Sequence, residues 1–224
     1  MMEVNMMKVL LVCDDLWHPA EVIERGLKTM DQEDMEFDFV KTAKDILSPA
    51  FVARYDVLVN CSGGAINAAN SNPWFEPTVT EFGPEEIRDY VRNGGAFVAV
   101  HAALTIGGRD HPEPAYTEVI GCTFLGHPLR EMTHVQVTEH NAITDGVEDF
   151  DERDEHYQIA VTAKDAKPFL STTSEHGGTF ISGYSREFGR GRVVVLTPGH
   201  TLAVWENPNF RKLFKNAIRW ATGK

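Results

Sequence analysis

Gly94-Gly95-Ala96-Phe97-Val98-Ala99-Val100-His101-Ala102-Ala103 runs from a pair of helix-stopping glycines through five small or apolar residues into a histidine flanked by alanines. A short, near-continuous apolar run is expected of a strand buried on both faces, as in a parallel sheet covered by helices. The segment before it supports that reading. Pro84 suits a first helical position, Glu85 and Glu86 suit the positive end of the helix dipole, and Ile87, Tyr90 and Val91 form one apolar stripe. Upstream the pattern repeats. Lys8–Cys13 and Tyr55–Cys61 read as further buried strands and Glu36–Val40 as a half-buried one. Pro19 opens a helix whose stripe is Ile23, Leu27 and Met30. The first half therefore predicts a β-α-β-(α)-β-α-β order with crossover helices and parallel strands.

The second half is patterned differently. His134–His140, Phe169–Thr173 and Gly178–Arg186 read as strands. Gly189-Arg190-Gly191 joins the last of these to Arg192–Thr197 as a hairpin, expected at or near a sheet edge. After Asn207-Pro208, the residues Phe210, Leu213, Phe214, Ala217, Ile218 and Ala221 mark an amphipathic closing helix that Gly223 stops. The polar segment 65–81, which carries Trp74 and Phe75, reads equally as a loop over a site or as packed surface. The expected architecture is a single α/β domain over residues 1–224, with a mainly parallel central sheet and helices on both faces.

Composition narrows the functional classes. Of 224 residues, 42% are hydrophobic and 24% charged, which is ordinary globular usage and excludes a disordered chain. The net charge of −12 and the lack of a Lys/Arg run argue against nucleic-acid or anionic-membrane binding. No stretch approaches the roughly 20 apolar residues of a membrane helix. The run Met7–Cys13 ends at Asp14-Asp15 without a cleavage site, so no signal peptide is expected. Cys13, Cys61 and Cys122 form no C-x-x-C pair, consistent with a reduced, cytoplasmic protein.

Ligands of open parallel sheets bind beyond the carboxyl ends of the strands. Those positions hold Asp14-Asp15 with Trp17-His18, Ser62-Gly63-Gly64, His101, and Gly199-His200-Thr201. His101 sits where a sharp turn between small neighbours would thrust a side chain into the site; a structural cap is the alternative. Gly63 and Gly64 could present backbone N–H groups to an oxyanion or could simply make a turn. Leu125-Gly126-His127-Pro128 and Asp154-Glu155-His156-Tyr157 are dense in acids, bases and ligands but are not placed by this rule. The acidic run from Glu148 to Glu155 reads as a solvated loop, except that Glu155 leads into an apolar stretch. His134 and His140 lie too far apart on a strand to share an ion, and His111 and His176 read as surface residues.

With these pieces in order, the sequence resembles the trehalose-utilisation (ThuA-like) family. The matching segments are Tyr55–Val59, Gly94–Ala103, Gly126–Pro128, His140–Gly146, Asp154–Tyr157, Gly199–Thr201 and Asn207–Trp220. The resemblance implies a flavodoxin-like fold of the class I glutamine amidotransferase type. In those amidotransferases a nucleophilic cysteine occupies the elbow after the fourth strand, where this chain has His101. Their oxyanion glycines match Gly63 and Gly64, and their late-strand histidine matches His200. The layout is similar and the elbow thiol is missing.

The resemblance implies carbohydrate catabolism, and the residues add the chemistry. His101, Glu155 and His200 are the candidate catalytic groups. Asp15, His18, Gly63, Gly64, His127 and Tyr157 are candidate substrate contacts. Such a set suits an isomerase, lyase or hydrolase acting on a sugar or 3-keto sugar by acid–base chemistry. The donors Asp15, His18, His101, His127, Glu155 and His200 would also serve a zinc-like divalent ion, although no H-E-x-x-H signature occurs. A small carbohydrate is the expected partner, with a homo-oligomer and a sugar dehydrogenase of the same pathway as further candidates. A non-catalytic carbohydrate-binding or regulatory module on the same scaffold is the alternative reading.

Overall fold

Four strands, Met7–Val12 (β1), Met35–Val40 (β2), Val57–Asn60 (β3) and Ala96–Val100 (β4), carry the first half of the fold in the computed structural model, which describes residues 6–30, 34–65, 74, 76 and 78–224. The helices are Ala20–Lys28 (α1), Ala43–Ile46 (α2), Pro49–Val52 (α3), Pro84–Arg92 (α4), Pro114–Ile120 (α5), Leu202–Glu206 (α6) and Pro208–Thr222 (α7). The remaining strands are Cys122–Gly126 (β5), Glu131–Val137 (β6), Phe150–Asp154 (β7), Gln158–Val161 (β8), Lys167–Ser174 (β9), Gly178–Phe188 (β10) and Gly191–Leu196 (β11).

The main sheet has the order β2-β1-β3-β4-β11-β10-β9-β6-β7, and β5 pairs with β8 in a small second sheet. Pairing is parallel from β2 through β11 and antiparallel from β11 through β7. The sheet is therefore mixed, rather than mainly parallel as expected. The hairpin of β10 and β11 is also central rather than at an edge, because β11 pairs in parallel with β4. Its residues explain this placement: Val193–Leu196 are all fully buried, the signature of a strand covered on both faces.

Alternation along the strands splits the core in two. Leu11, Val59, Val98 and Val194 face Ile23 and Leu27 of α1 and Phe210, Phe214 and Ile218 of α7. Leu10, Leu58, Phe97 and Val193 face Ile87 and Val91 of α4 and Tyr116 and Val119 of α5. Each fully buried Leu, Ile, Val or Phe contributes about 1.5–3 kcal/mol. The stripe of α7 is held in register by its ends. The Asn207 side chain accepts from the backbone N–H of Asn209 at 2.9 Å, Pro208 occupies the first turn, and Gly223 closes the helix at φ 74°.

Two strands depart from expectation. The strand expected over His134–His140 spans Glu131–Val137 instead. The acidic run is not a loop: Phe150–Asp154 is an edge strand paired with β6. Charged residues protect such an edge from pairing with another chain, and they also hide the apolar alternation by which strands are recognised. Most of the segment 65–81 lies outside the described residues, Phe75 included. Its Trp74 is buried against Tyr116, with ring centroids 6.4 Å apart.

Candidate active site

β1, β3, β4 and β11 end at a common rim, and the segments that follow them meet there. Asp15 lies in the turn after β1, with its carboxylate facing inward. It accepts from His18 Nδ1 at 2.8 Å, from the backbone N–H groups of Trp17 at 2.9 Å and His18 at 3.0 Å, and from the Gly63 N–H at 2.6 Å. Burial pushes this carboxyl up, but the His18 imidazole and the N–H groups outweigh it and hold Asp15 below the ordinary carboxylate range. Asp15 is 2% exposed and is not among the residues lining the cleft described below; its carboxylate holds the His18 ring in place.

Of the two readings open for Gly63 and Gly64, the hydrogen bonds favour the turn. The Gly63 N–H is spent on Asp15, and the Gly64 N–H donates to Ser62 Oγ at 3.0 Å, so neither N–H offers itself to an oxyanion. What Gly63 supplies is closeness: a Cβ there would stand 2.4 Å from Thr105 Oγ1.

His101 follows β4 at φ 46°, a left-handed conformation that costs a non-glycine residue roughly 1–3 kcal/mol and is typically kept at functional sites. Its Nδ1 donates to the Thr197 carbonyl at 2.7 Å, and its ring stacks on Tyr157 with centroids 3.8 Å apart. This leaves Nε2 directed at Glu155 Oε2, 3.6 Å away, with no hydrogen-bond partner among the described residues. Burial drives the imidazole pKa down to about 4, against the pull of Glu155, so His101 is neutral at pH 7. At 2% exposure it lies behind the cleft wall rather than in the open cleft.

Glu155 is the hub. Besides His101, its Oε2 lies 3.1 Å from His200 Nδ1 and 3.6 Å from His127 Nε2. Burial would raise this carboxyl, yet the His101 and His200 imidazoles outweigh burial and hold it well below the ordinary range, so it is ionised. His18 adds to the cluster, with ring centroids 5.2 Å from His101 and 5.0 Å from His200. The Tyr157 hydroxyl is 3.3 Å from His18 Nε2. His156, next in sequence, points elsewhere and bonds Ser174 Oγ at 2.7 Å.

Asp154 has a role that sequence reasoning missed. It is buried at the end of β7 and accepts from the backbone N–H groups of Gly199 at 2.9 Å, His200 at 3.0 Å and Thr201 at 3.3 Å. Burial raises its carboxyl to about 6, and these donors offset only part of that. Gly199, at φ 145°, lets the loop pass close to the elbow, where a Cβ would stand 3.2 Å from that of His101. Asp154 therefore fixes the loop that carries His200. Its partners lie about 45 positions downstream, so no local motif announces them.

These side chains open into a cleft of about 780 Å³, lined by Trp17, His18, Gly63, Gly64, Thr105, Phe124, His127, Arg130, Glu155, Tyr157 and His200. That volume is typical of a small-molecule site. Phe124 packs on Tyr157 with centroids 4.6 Å apart, giving one wall an aromatic face. Outside this cluster, His111, His134, His140 and His176 are exposed. His134 and His176 are paired with Asp151 and Glu131.

Comparison with known proteins agrees with this fold. The family model described as ThuA, trehalose utilisation, matches residues 8–221. The chain belongs to the trehalose utilisation family. A search of curated proteins by sequence returned no significant match. Among solved structures, a ThuA-like protein of Parabacteroides merdae superposes with a TM-score of 0.74 at 17% identity, covering 98% of this chain and 91% of that one. A ThuA-like protein of Bacteroides uniformis gives a TM-score of 0.74 at 18% identity, covering 99% and 93%. A β-galactosidase of Rahnella sp. R3 gives a TM-score of 0.61 at 14% identity, covering 96% of this chain but 31% of the enzyme. At these identities the likeness concerns the fold, a flavodoxin-like α/β type with a mixed sheet. No helix among the described residues is long and apolar enough to cross a membrane.

In this member of the trehalose utilisation family, none of the cysteines lies in the cleft. Cys13, Cys61 and Cys122 are 1%, 3% and 0% exposed, and burial pushes the Cys13 and Cys122 thiols up to about 12 and about 11. Nucleophilic thiols need a depressed pKa and access. Replacing all three with serine or alanine is expected to leave any sugar-directed activity within about threefold once packing losses are corrected. Mass spectrometry of native protein treated with a thiol reagent should show no labelling on the timescale of turnover.

Proposed function

We propose that this protein is an enzyme of carbohydrate catabolism that acts on a sugar or 3-keto sugar by His/Glu acid–base chemistry, without a cysteine nucleophile. The observation that supports it most is the convergence of His101, His127 and His200 on one oxygen of an ionised Glu155 at the wall of the cleft. A sugar-binding site needs chiefly aromatics and amides, whereas imidazoles around a carboxylate are suited to moving protons near neutral pH.

A ketone in a sugar ring acidifies the C–H bond on the adjacent carbon. An imidazole facing the cleft, His127 or His200, takes that proton, and the C–H electron pair moves into a C=C bond as the carbonyl oxygen becomes an enolate. Glu155 balances the positive charge gained by the imidazole. Returning the proton to the other face epimerises that carbon, and expelling a group from the next carbon completes an elimination. The reaction that supplies a 3-keto sugar is the oxidation of a secondary alcohol, so a sugar dehydrogenase is the fitting upstream partner.

The test is a panel of sugars and 3-keto sugars incubated with the protein in deuterated water and followed by NMR. Deuterium beside the carbonyl, or its elimination product, is the expected result. The match to a β-galactosidase chain of which this fold forms about a third favours a second reading, a module that holds a carbohydrate without transforming it. Saturable sugar binding with neither exchange nor conversion across the panel would support that second reading.

A further inference from the structure

We propose that His18, His101, His200 and Glu155 form a binding site for one divalent transition-metal ion of the zinc class, set in the cleft wall. The proposal refines the acid–base reading above. One donor atom from each of these residues lies within 4.8 Å of the other three. Tetrahedral zinc with bonds of about 2.0–2.1 Å places its ligand atoms about 3.3 Å apart. The observed separations from Glu155 Oε2, 3.1 Å to His200 Nδ1 and 3.6 Å to His101 Nε2, bracket that spacing.

Two independent features point to an occupant. The first is the orphaned state of the donors. His101 Nε2 and His200 Nδ1 are buried and make no aligned hydrogen bond among the described residues. His101 is 2% exposed, so water does not satisfy that nitrogen from outside, and a buried acceptor without a partner costs about 1–3 kcal/mol. The second is the arrangement behind the rings. Imidazoles that bind metals usually give their other nitrogen to a carboxylate or a backbone carbonyl, which fixes tautomer and orientation. His18 gives Nδ1 to Asp15, and His101 gives Nδ1 to the Thr197 carbonyl. His101 thereby turns Nε2 toward Glu155, and His18 keeps Nε2 for the cluster side, where the Tyr157 hydroxyl lies 3.3 Å away and would give way to the ion.

The donor chemistry selects the ion. Three imidazoles and one carboxylate suit zinc or its neighbours in the first transition row, whereas magnesium and calcium prefer oxygen ligands. The ion would face the cleft between Glu155 and His200, where it could hold a sugar carbonyl oxygen. His127 lies outside the four donors and stays free to carry the proton.

The experiment uses tag-free protein stripped with a chelator and dialysed. Titration with Zn²⁺, followed by calorimetry and elemental analysis, is expected to show one equivalent bound, with no comparable binding of Mg²⁺. Co²⁺ should give the visible absorption of a four- or five-coordinate site bearing imidazoles. His200→Gln and Glu155→Gln are each expected to weaken Zn²⁺ binding at least 100-fold. Asp15→Asn, which leaves all four donors in place, should weaken it by about 10- to 100-fold. His134→Ala and His176→Ala should leave it unchanged, and thermal unfolding of each variant confirms that it is folded. Wild-type protein that binds Zn²⁺ no more tightly than folded Glu155→Gln, or that keeps an octahedral Co²⁺ spectrum, would overturn the proposal. These readouts involve no sugar. A failed titration thus leaves the deuterium-exchange test standing, and failed exchange leaves the titration standing.

Discussion

Glu155→Gln is expected to slow proton exchange on a keto sugar by about 10³-fold, within the usual contribution of a positioned acid–base group. The variant keeps the size and shape of the side chain but removes its charge. Glu155 Oε2 is the atom to which His101, His127 and His200 are all turned. Without the negative charge, an imidazole that accepts a proton has no counter-ion in the cleft wall. Neighbouring Asp15 does not replace it, because that carboxylate is committed to His18 and backbone N–H groups. Glu155 is partly exposed and begins the short loop after β7, so folding should be little affected. Circular dichroism and an unfolding temperature near that of the wild type would show that the loss is chemical.

Asp154→Ala carries the largest expected cost to stability. It leaves the N–H groups of Gly199 and His200, and more weakly that of Thr201, without their acceptor in a buried place. Each buried donor left unmatched costs about 1–3 kcal/mol, so a loss of about 3–5 kcal/mol is expected. For a chain of this size that lowers the unfolding temperature by about 6–20 °C. Asp154→Asn keeps one acceptor oxygen and turns an amide toward an N–H, so its cost should be intermediate. The pH dependence separates the two effects. The carboxyl titrates at about 6 in the fold, above the reference 3.8, so the folded state binds the extra proton between those values. The stability margin of wild type over Asp154→Asn should therefore shrink as pH rises from about 4 to about 6. Denaturant titrations at several pH values measure it.

The first half of the fold was legible because parallel strands buried on both faces are written as apolar runs, Val9–Val12 and Ala96–Val100 among them. The hairpin turn at Gly189–Gly191 was legible too, but its place was not. Strand order depends on partners far along the chain, and the fully buried Val193–Leu196 argued against an edge more strongly than the short turn argued for one. β7 was hidden because its charges suit an edge and mask its period. In the site, His101, His200 and His18 could be found because they follow strands whose carboxyl ends share a rim. Glu155 and His127 were found through motifs that no strand rule placed. Asp154 could not be assigned a role, since backbone N–H groups are its partners and these carry no residue signature. For the same reason the sequence left Gly63 and Gly64 open between an oxyanion site and a turn: it does not reveal that Asp15 and the Ser62 hydroxyl already occupy their N–H groups.

The most direct test compares deuterium incorporation beside the carbonyl of a 3-keto sugar for wild type, Glu155→Gln and the variant lacking all three cysteines, in one buffer at one pH. A proton-moving His/Glu site predicts equal rates for wild type and the cysteine-free protein, and a rate near background for Glu155→Gln. Exchange by Glu155→Gln as fast as wild type, or exchange lost only when the cysteines are removed, would contradict it.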